Sequence, residues 1–320
     1  MRPLIILTGP TAAGKTELSI ALAKAIGGEI ISADSMQVYK KMNIGTAKIT
    51  REEMEGVPHF MIDELEPDEE FNVMIFQEKA KKYMEEIYGR GHIPILVGGT
   101  GFYIQSILYD IKFTKEEGDP SYRESLQKLS LEKGPDFLYQ KLLKVDPEYA
   151  KDLHANNVKR VIRALEYYHF TGEKFSVHNA REASRTSPYN FAYFVLTMDR
   201  QKLYDRIDLR VDFMKEAGLL QEVKGLLDQG YSKDLVSMQG LGYKEIVPVV
   251  QEGLDLEEAL YVLKRDTRHF AKRQLTWFKR EDQVDYIDKD LYQSEEAILQ
   301  DILKILKEKS IIKNQEDSHE

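Results

Sequence analysis

The 320-residue chain contains no cysteine. Disulfides and thiolate metal sites are therefore excluded, which fits a reducing compartment. Its 20 glycines and 10 prolines are scattered, so no linker or low-complexity tract is marked by composition. No apolar run is long enough to span a bilayer, and the opening "MRPLIILTGP" lacks a secretory apolar region. The reading is a cytoplasmic chain without a membrane segment. General positive charge is also lacking. The formal net charge is −9, which argues against a protein coated by nucleic acid. One stretch departs from this balance: Lys264 to Arg280 holds seven Lys/Arg against one acid, Asp266, and twelve acids and five lysines follow it. Such a local face can dock a polyanion, although taken alone it reads first as a solvated helix face.

What is present is ample apolar material, 42% of residues, enough for one large domain or two. Short apolar runs occur at "LIIL" (4–7), "EIISADS" (29–35), "IPILVGG" (93–99) and "FAYFVLTMD" (191–199), with strand-like "VDYID" at 284–288. Helical periodicity fills the intervals, as in "ELSIALAKAI" (17–26) and "NVMIFQEKAKKYMEEIYGRG" (72–91). Nearly continuous apolar strands alternating with helices predict an α/β fold with a buried parallel sheet flanked by helices. From about Phe113 to Pro188 only helical patterns appear. The expected organisation is a discontinuous core, 1–112 and 190–320, interrupted by an all-helical insertion domain at 113–189. The terminal "KNQEDSHE" is expected to fray.

Four stretches carry chemistry. "GPTAAGKT" (9–16) is Gly, four residues, then Gly-Lys-Thr, between a strand and a helix. The backbone of Gly9, Pro10, Thr11, Ala12, Ala13, Gly14, Lys15 and Thr16 can cradle a phosphate chain at the helix N-terminus. Lys15 adds a mobile cation, and the Thr16 hydroxyl can ligate Mg²⁺. The loop reads phosphates and not a nucleoside. "ADSMQVYKKMNIGTAK" (33–48) lies at the C-terminal end of the second strand, the edge where open α/β sheets hold ligands. Asp34 there is either a catalytic carboxylate or a helix N-cap. "LVGGTGFY" (96–103) ends in glycines and Thr100 where many P-loop ATPases carry a Mg²⁺-holding acid. That weakens the ATPase reading, although Asp199 in "VLTMD" keeps it open; Thr100 itself offers a hydroxyl or a cap. In "LYDRIDLRVDFM" (203–214), Arg206 and Arg210 share a helix face. They clamp phosphates or pair with Asp205, Asp208 and Asp212.

In order and spacing, these stretches together with "PHFMID", "NNVKRVIRALE", "MQGLGYKE" and "TRHFAKRQLTWF" resemble the tRNA dimethylallyltransferases over nearly the whole chain. One departure is Ala13, where the family often has Ser, so a side-chain contact to phosphate is lost there and the backbone contact is kept. Eukaryotic relatives can carry a C-terminal zinc finger; without cysteine, a bacterial-type enzyme is expected.

The resemblance implies a P-loop NTPase-like core whose loop holds the diphosphate of dimethylallyl diphosphate. The acceptor would be N6 of adenosine 37 beside a tRNA anticodon, flipped from its stack. The prenyl group moves and diphosphate leaves. By the same resemblance Asp34 accepts the amine proton, and Thr100 and Arg210, the second of the arginine pair, stabilise the leaving group with Lys15, the loop amides and Mg²⁺ on Thr16. Asp34, Ser35, Met36, Gln37, Thr100, Arg123, Arg160, Gln239, Gly240, Leu241, Gly242, Tyr243 and Lys244 would touch the anticodon stem-loop. A monomer is expected. The runner-up is a P-loop small-molecule or nucleoside kinase using ATP. A variant prenylates free adenine nucleotides. A non-catalytic RNA-binding GTPase ranks last, since no "NKxD"-type motif is evident.

Overall fold

The computed structural model describes residues 1–113, 120–183 and 186–313. Along the chain come β1 (Arg2–Thr8), α1 (Lys15–Ile26), β2 (Gly28–Ser32), β3 (His59–Phe60), α2 (Val73–Gly89), β4 (Ile93–Gly98) and α3 (Gly101–Leu108). Next are α4 (Pro120–Lys133), α5 (Pro135–Val145), α6 (Pro147–Ala150), α7 (Val158–Thr171) and α8 (Phe175–Ala183). The chain continues with β5 (Tyr189–Thr197), α9 (Arg200–Glu216), α10 (Leu219–Asp228), α11 (Tyr243–Glu252), α12 (Leu256–Phe278), β6 (Val284–Asp288) and α13 (Glu295–Glu308). It divides into two compact units, Met1–Asp110 with Pro188–Glu320, and Ile111–Ser187.

The first unit is built on a six-stranded sheet in the order β3-β2-β4-β1-β5-β6, parallel throughout. β1 lies centrally, with Ile5 opposite Ile95 on one side and Ala192 on the other. Its apolar run alternates between two cores because successive side chains point to opposite faces. Leu4 and Ile6 join a cluster with Phe76, Met84, Ile104 and Phe278; Ile5 and Leu7 join one with Leu18, Leu22, Ile302 and Leu306. Both faces are thus covered by helices, which is why the strands read as unbroken apolar runs. Truncating any of these buried side chains to Ala costs about 2–5 kcal/mol.

Three strand expectations shift. The sequence reading has no strand at His59–Phe60, because two residues carry no period. The strand expected at 29–35 ends at Ser32, where the chain turns, although Ala33 N still donates to Val97 O at 2.8 Å. The strand expected at 191–199 ends at Thr197, and Asp199 instead caps α9, accepting from Gln201 N at 2.8 Å and Lys202 N at 3.1 Å. That engagement explains the acid at the end of "VLTMD" as a helix cap.

The second unit is helical in its described residues and has its own core of Leu126, Leu138, Leu142, Val161, Ile162, Leu165 and Phe175. Pro135 and Pro147 open α5 and α6, where a missing N–H costs nothing. Buried Asp146 caps α6 through Tyr149 N at 3.1 Å and also accepts from Ser176 N at 2.7 Å, tying α6 to α8. Residues 314–320, in the tail expected to fray, lie outside the described residues. No described helix is long and apolar enough to cross a membrane.

Candidate active site

A cleft opens at the C-terminal ends of β1, β2 and β4. Thr11, Ala12, Gly14, Lys15 and Thr16 line it from the first loop, Asp34 and Gln37 from the second, and Gly98 and Gly99 from the third. Arg206, Arg210 and Gln274 close it from α9 and α12. Gly9, Pro10, Ala13 and Thr100 are not among the lining residues. Ala13 is buried in the apolar core instead, so its methyl group belongs to packing.

The phosphate loop is arranged for an anion. Gly14 is the N-cap of α1 and has no side chain to cap it, which leaves the first-turn N–H groups for a ligand. Lys15 Nζ folds back onto the loop, donating to Gly9 O at 3.0 Å and Pro10 O at 2.8 Å. Burial pushes its ammonium down from 10.5 to about 7, with Arg210 adding to the shift and Asp34 opposing it. Arg206 Nε donates to Ala12 O at 2.9 Å, and Arg210 donates to Thr11 Oγ1 at 3.2 Å. The acids of the same helix are engaged elsewhere: Asp208 holds Arg268 at 2.7 Å, Asp212 holds Lys264 at 2.5 Å, and Asp205 accepts from Gln201 at 2.8 Å. Both arginines therefore reach the 9–16 loop rather than the acids of their own helix. Burial and neighbouring Arg206 push the Arg210 guanidinium below its ordinary value.

Asp34 lies in a turn and not at the start of a helix, so it is not the helix N-cap the sequence allowed. Its Oδ1 accepts from Met36 N at 2.8 Å and Gln37 N at 3.3 Å, an Asx-type turn. Oδ2 has no hydrogen bond among the described residues, so one oxygen is anchored while the other can receive a proton. Gln37 is held in turn by Ser32 Oγ at 3.2 Å and by donation to Ala47 O at 3.3 Å. The loop carrying Ala47 is fixed from α10. Glu222 accepts from Asn43 N, Ile44 N and Gly45 N at 2.9, 2.8 and 3.1 Å, and from Tyr243 Oη at 2.6 Å. Buried Lys48 pins the same loop to Asp63 of "PHFMID" at 2.5 Å. Tyr243 is 0% exposed, which corrects its expected RNA contact: its side chain faces Gly45 and Glu222. Gln239 and Lys244 are the exposed side chains of that segment, and Met36 packs against Gly240.

The third loop needs its first glycine for close approach. A Cβ on Gly98 would strike the backbone of Ala33. Thr100 takes the N-cap position of α3, with no side-chain cap bond, and its N donates to Ala33 O at 3.2 Å. His59 also lines the cleft, bonded through Nδ1 to Val57 O at 2.8 Å, with burial pushing its imidazole down. The sequence reading names neither His59 nor Gln274 as a site residue. Each is visible only as part of a longer motif.

The IPP transferase family matches residues 37–281 of the chain. The chain belongs to this family. It is 59% identical over 313 residues to a tRNA dimethylallyltransferase of Lachnoclostridium phytofermentans, covering 98% of this chain and 100% of that one. A tRNA dimethylallyltransferase of Bacillus cereus is 53% identical over 283 residues, covering 88% and 89% of the two chains. Among solved structures, the tRNA isopentenylpyrophosphate transferase of Bacillus halodurans aligns with a TM-score of 0.73 at 44% identity, covering 97% of this chain and 98% of that one. A eukaryotic dimethylallyltransferase acting on tRNA aligns with a TM-score of 0.83 at 33% identity, covering 95% and 78%.

The two insertion arginines differ. Arg123 grips Glu166 through two bonds, 2.8 and 2.7 Å, and the Glu166 side chain is only 5% exposed. Arg160 is exposed on α7 and makes no side-chain hydrogen bond or ion pair among the described residues. Arg163, on the same helix, lies over the Phe175 ring at 5.7 Å. The basic 264–280 stretch is divided as well. Lys264 and Arg268 are tied to α9, and Arg265 holds Asp266 at 2.9 Å. Lys272, Lys279 and Arg280 remain exposed without an ion pair among the described residues.

Proposed function

We propose that the chain transfers the dimethylallyl group of dimethylallyl diphosphate to N6 of adenosine 37 in tRNA, releasing diphosphate. The observation that carries the reading is a single cleft joining a bare helix N-terminus, Lys15 and two arginines to a carboxylate with one anchored oxygen. Diphosphate would sit on the first-turn amides of α1, with Lys15 leaving the Gly9 and Pro10 carbonyls to meet it. Arg210 faces the leaving group and counters charge as it develops. As N6 bonds to C1 of the allyl group, the C1–O bond breaks, its electron pair leaves on diphosphate, and the amine proton passes to Asp34 Oδ2. Holding N6 in line with C1 supplies much of the rate, since the exocyclic amine is a poor nucleophile. Thr100 contributes from the turn beside the cleft.

Residues fit a Mg²⁺ ion held chiefly by the substrate. Thr16 lines the cleft, and its hydroxyl has no partner among the described residues. When bound there, the ion would neutralise part of the diphosphate charge. On the RNA side, Ser35, Met36, Gln37, Gln239, Leu241 and Lys244 would surround the flipped base, and Arg160 would meet backbone phosphate. The tRNA substrate favours the cytoplasm. The test is incubation with dimethylallyl diphosphate, Mg²⁺ and unmodified tRNA, followed by nucleoside mass analysis. Prenylated adenosine without ATP is expected. A strict ATP requirement with ADP as product would reassign the cleft to a kinase.

A further inference from the structure

We propose that Gln274 is a positioning residue for the transfer: its side-chain amide fixes the phosphate loop against the Gly-Gly-Thr-Gly turn. The inference rests on the proposed function. Gln274 lies on α12, is 7% exposed, and borders the cleft. Its Oε1 accepts from Thr11 N at 2.9 Å, and its Nε2 donates to Gly99 O at 3.0 Å. An amide carries its acceptor and its donor on two separate atoms, which matches one partner that donates, Thr11 N, and one that accepts, Gly99 O. A Cβ on Gly99 would strike Nε2, so the turn is shaped to admit this amide.

The neighbours of Gln274 extend the same contact. Trp277, one turn on, lies where a Cβ on Gly101 would be. Just past the helix end, Glu281 accepts from Gln105 of α3 at 2.7 Å. One edge of α12 therefore holds the phosphate loop, the glycine turn and α3 together. Two consequences follow for the chemistry. Thr11 N is engaged by Gln274, and Ala13 N points to Pro10 O at 3.3 Å, so the anion is left to the amides at the start of α1. The turn also supports Ala33, through Thr100 N to Ala33 O at 3.2 Å, and Ala33 precedes Asp34. Gln274 thus relates the group that holds the donor to the group that takes the acceptor's proton, without touching the reacting atoms.

The test compares Gln274→Leu, which lacks both bonds, Gln274→Glu, which can keep only the bond from Thr11 N, and Gly99→Ala, which displaces the amide. Two quantities are measured: the single-turnover rate of prenyl transfer at saturating substrates, and the affinity for inorganic diphosphate. Misplacement by a fraction of an ångström to an ångström predicts a rate loss of roughly 10- to 100-fold, with diphosphate affinity changed less than about threefold because the anion-binding amides, Lys15 and Arg210 remain. If Gln274→Leu does not fold, the isosteric Gln274→Glu carries the comparison. Unchanged rates in folded variants overturn the inference. So does a fall in diphosphate affinity that matches the fall in rate, which would make Gln274 a binding group. A wild type that forms no prenylated adenosine overturns the proposed function and this inference together, whereas loss confined to the variants' rates supports both.

Discussion

Binding of diphosphate should draw a proton onto Lys15. The Lys15 ammonium is depressed from 10.5 to about 7, by burial first and by Arg210 second, with Asp34 the opposing charge. The other groups facing it are Arg206 and the Gly9 and Pro10 carbonyls. A polyanion beside Nζ reverses the balance and raises its pKa. At pH 8, above the value of about 7, most of the protein carries neutral Lys15, so binding takes up part of a proton, at most about one, at this site. Below pH 7 the site is already charged and uptake vanishes. Above it, affinity falls as pH rises, approaching about tenfold per unit. The assay is titration calorimetry of inorganic diphosphate at pH 8 in two buffers of different ionisation enthalpy. Lys15→Met corrects for protons bound by the ligand itself. Wild-type uptake no greater than that of Lys15→Met would refute the reasoning. Folding linkage has a definite sign too. The folded state binds fewer protons than the unfolded one between pH 7 and 10.5, so wild-type stability should rise across that window relative to Lys15→Met.

Asp34→Asn should lower kcat by roughly 10²–10⁴, the usual span for a lost acid–base group, with little change in donor affinity; a near-normal rate would leave Asp34 as a turn residue only. Arg160→Ala should weaken tRNA binding and reduce the salt slope by about one phosphate contact, read from affinities across a salt series. Arg123→Ala should do this with an added loss of stability of about 1–3 kcal/mol, because buried Glu166 loses both donors; a thermal melt separates the two effects. Glu222→Ala should raise the KM for tRNA more than that for the donor, since three loop amides lose their acceptor; equal changes would count against it.

The parts legible in the sequence are those whose cause is local. The apolar run 4–7, the glycines and Lys15 announce a strand, a loop and a helix, and their order puts the loop at the C-terminal end of that strand. Arg206 and Arg210 are legible as a pair, but not their choice of partner, because the carboxylates that could hold them are taken by Lys264, Arg268 and Gln201. Gln274 and Glu222 are illegible for the same reason. Their roles depend on backbone groups 263 and about 178 positions away in sequence. Tyr243 looks like an exposed aromatic in a polar motif, yet the carboxylate of Glu222 lets its hydroxyl be buried. The Arg123–Glu166 pair, 43 residues apart, is equally silent until the helices pack.

The position of β1 has a consequence for how the chain is made. Arg2–Thr8 leaves the ribosome well ahead of one of its two neighbours, Tyr189–Thr197. At about 5–20 residues per second, Leu4–Leu7 waits roughly ten to forty seconds with one flank of N–H and C=O groups unpaired. The segment Ile111–Ser187 has a core of its own and can collapse in that interval. In nascent chains stalled before Tyr189, the helical unit should therefore resist protease while the flank of β1 that later pairs with β5 is still open.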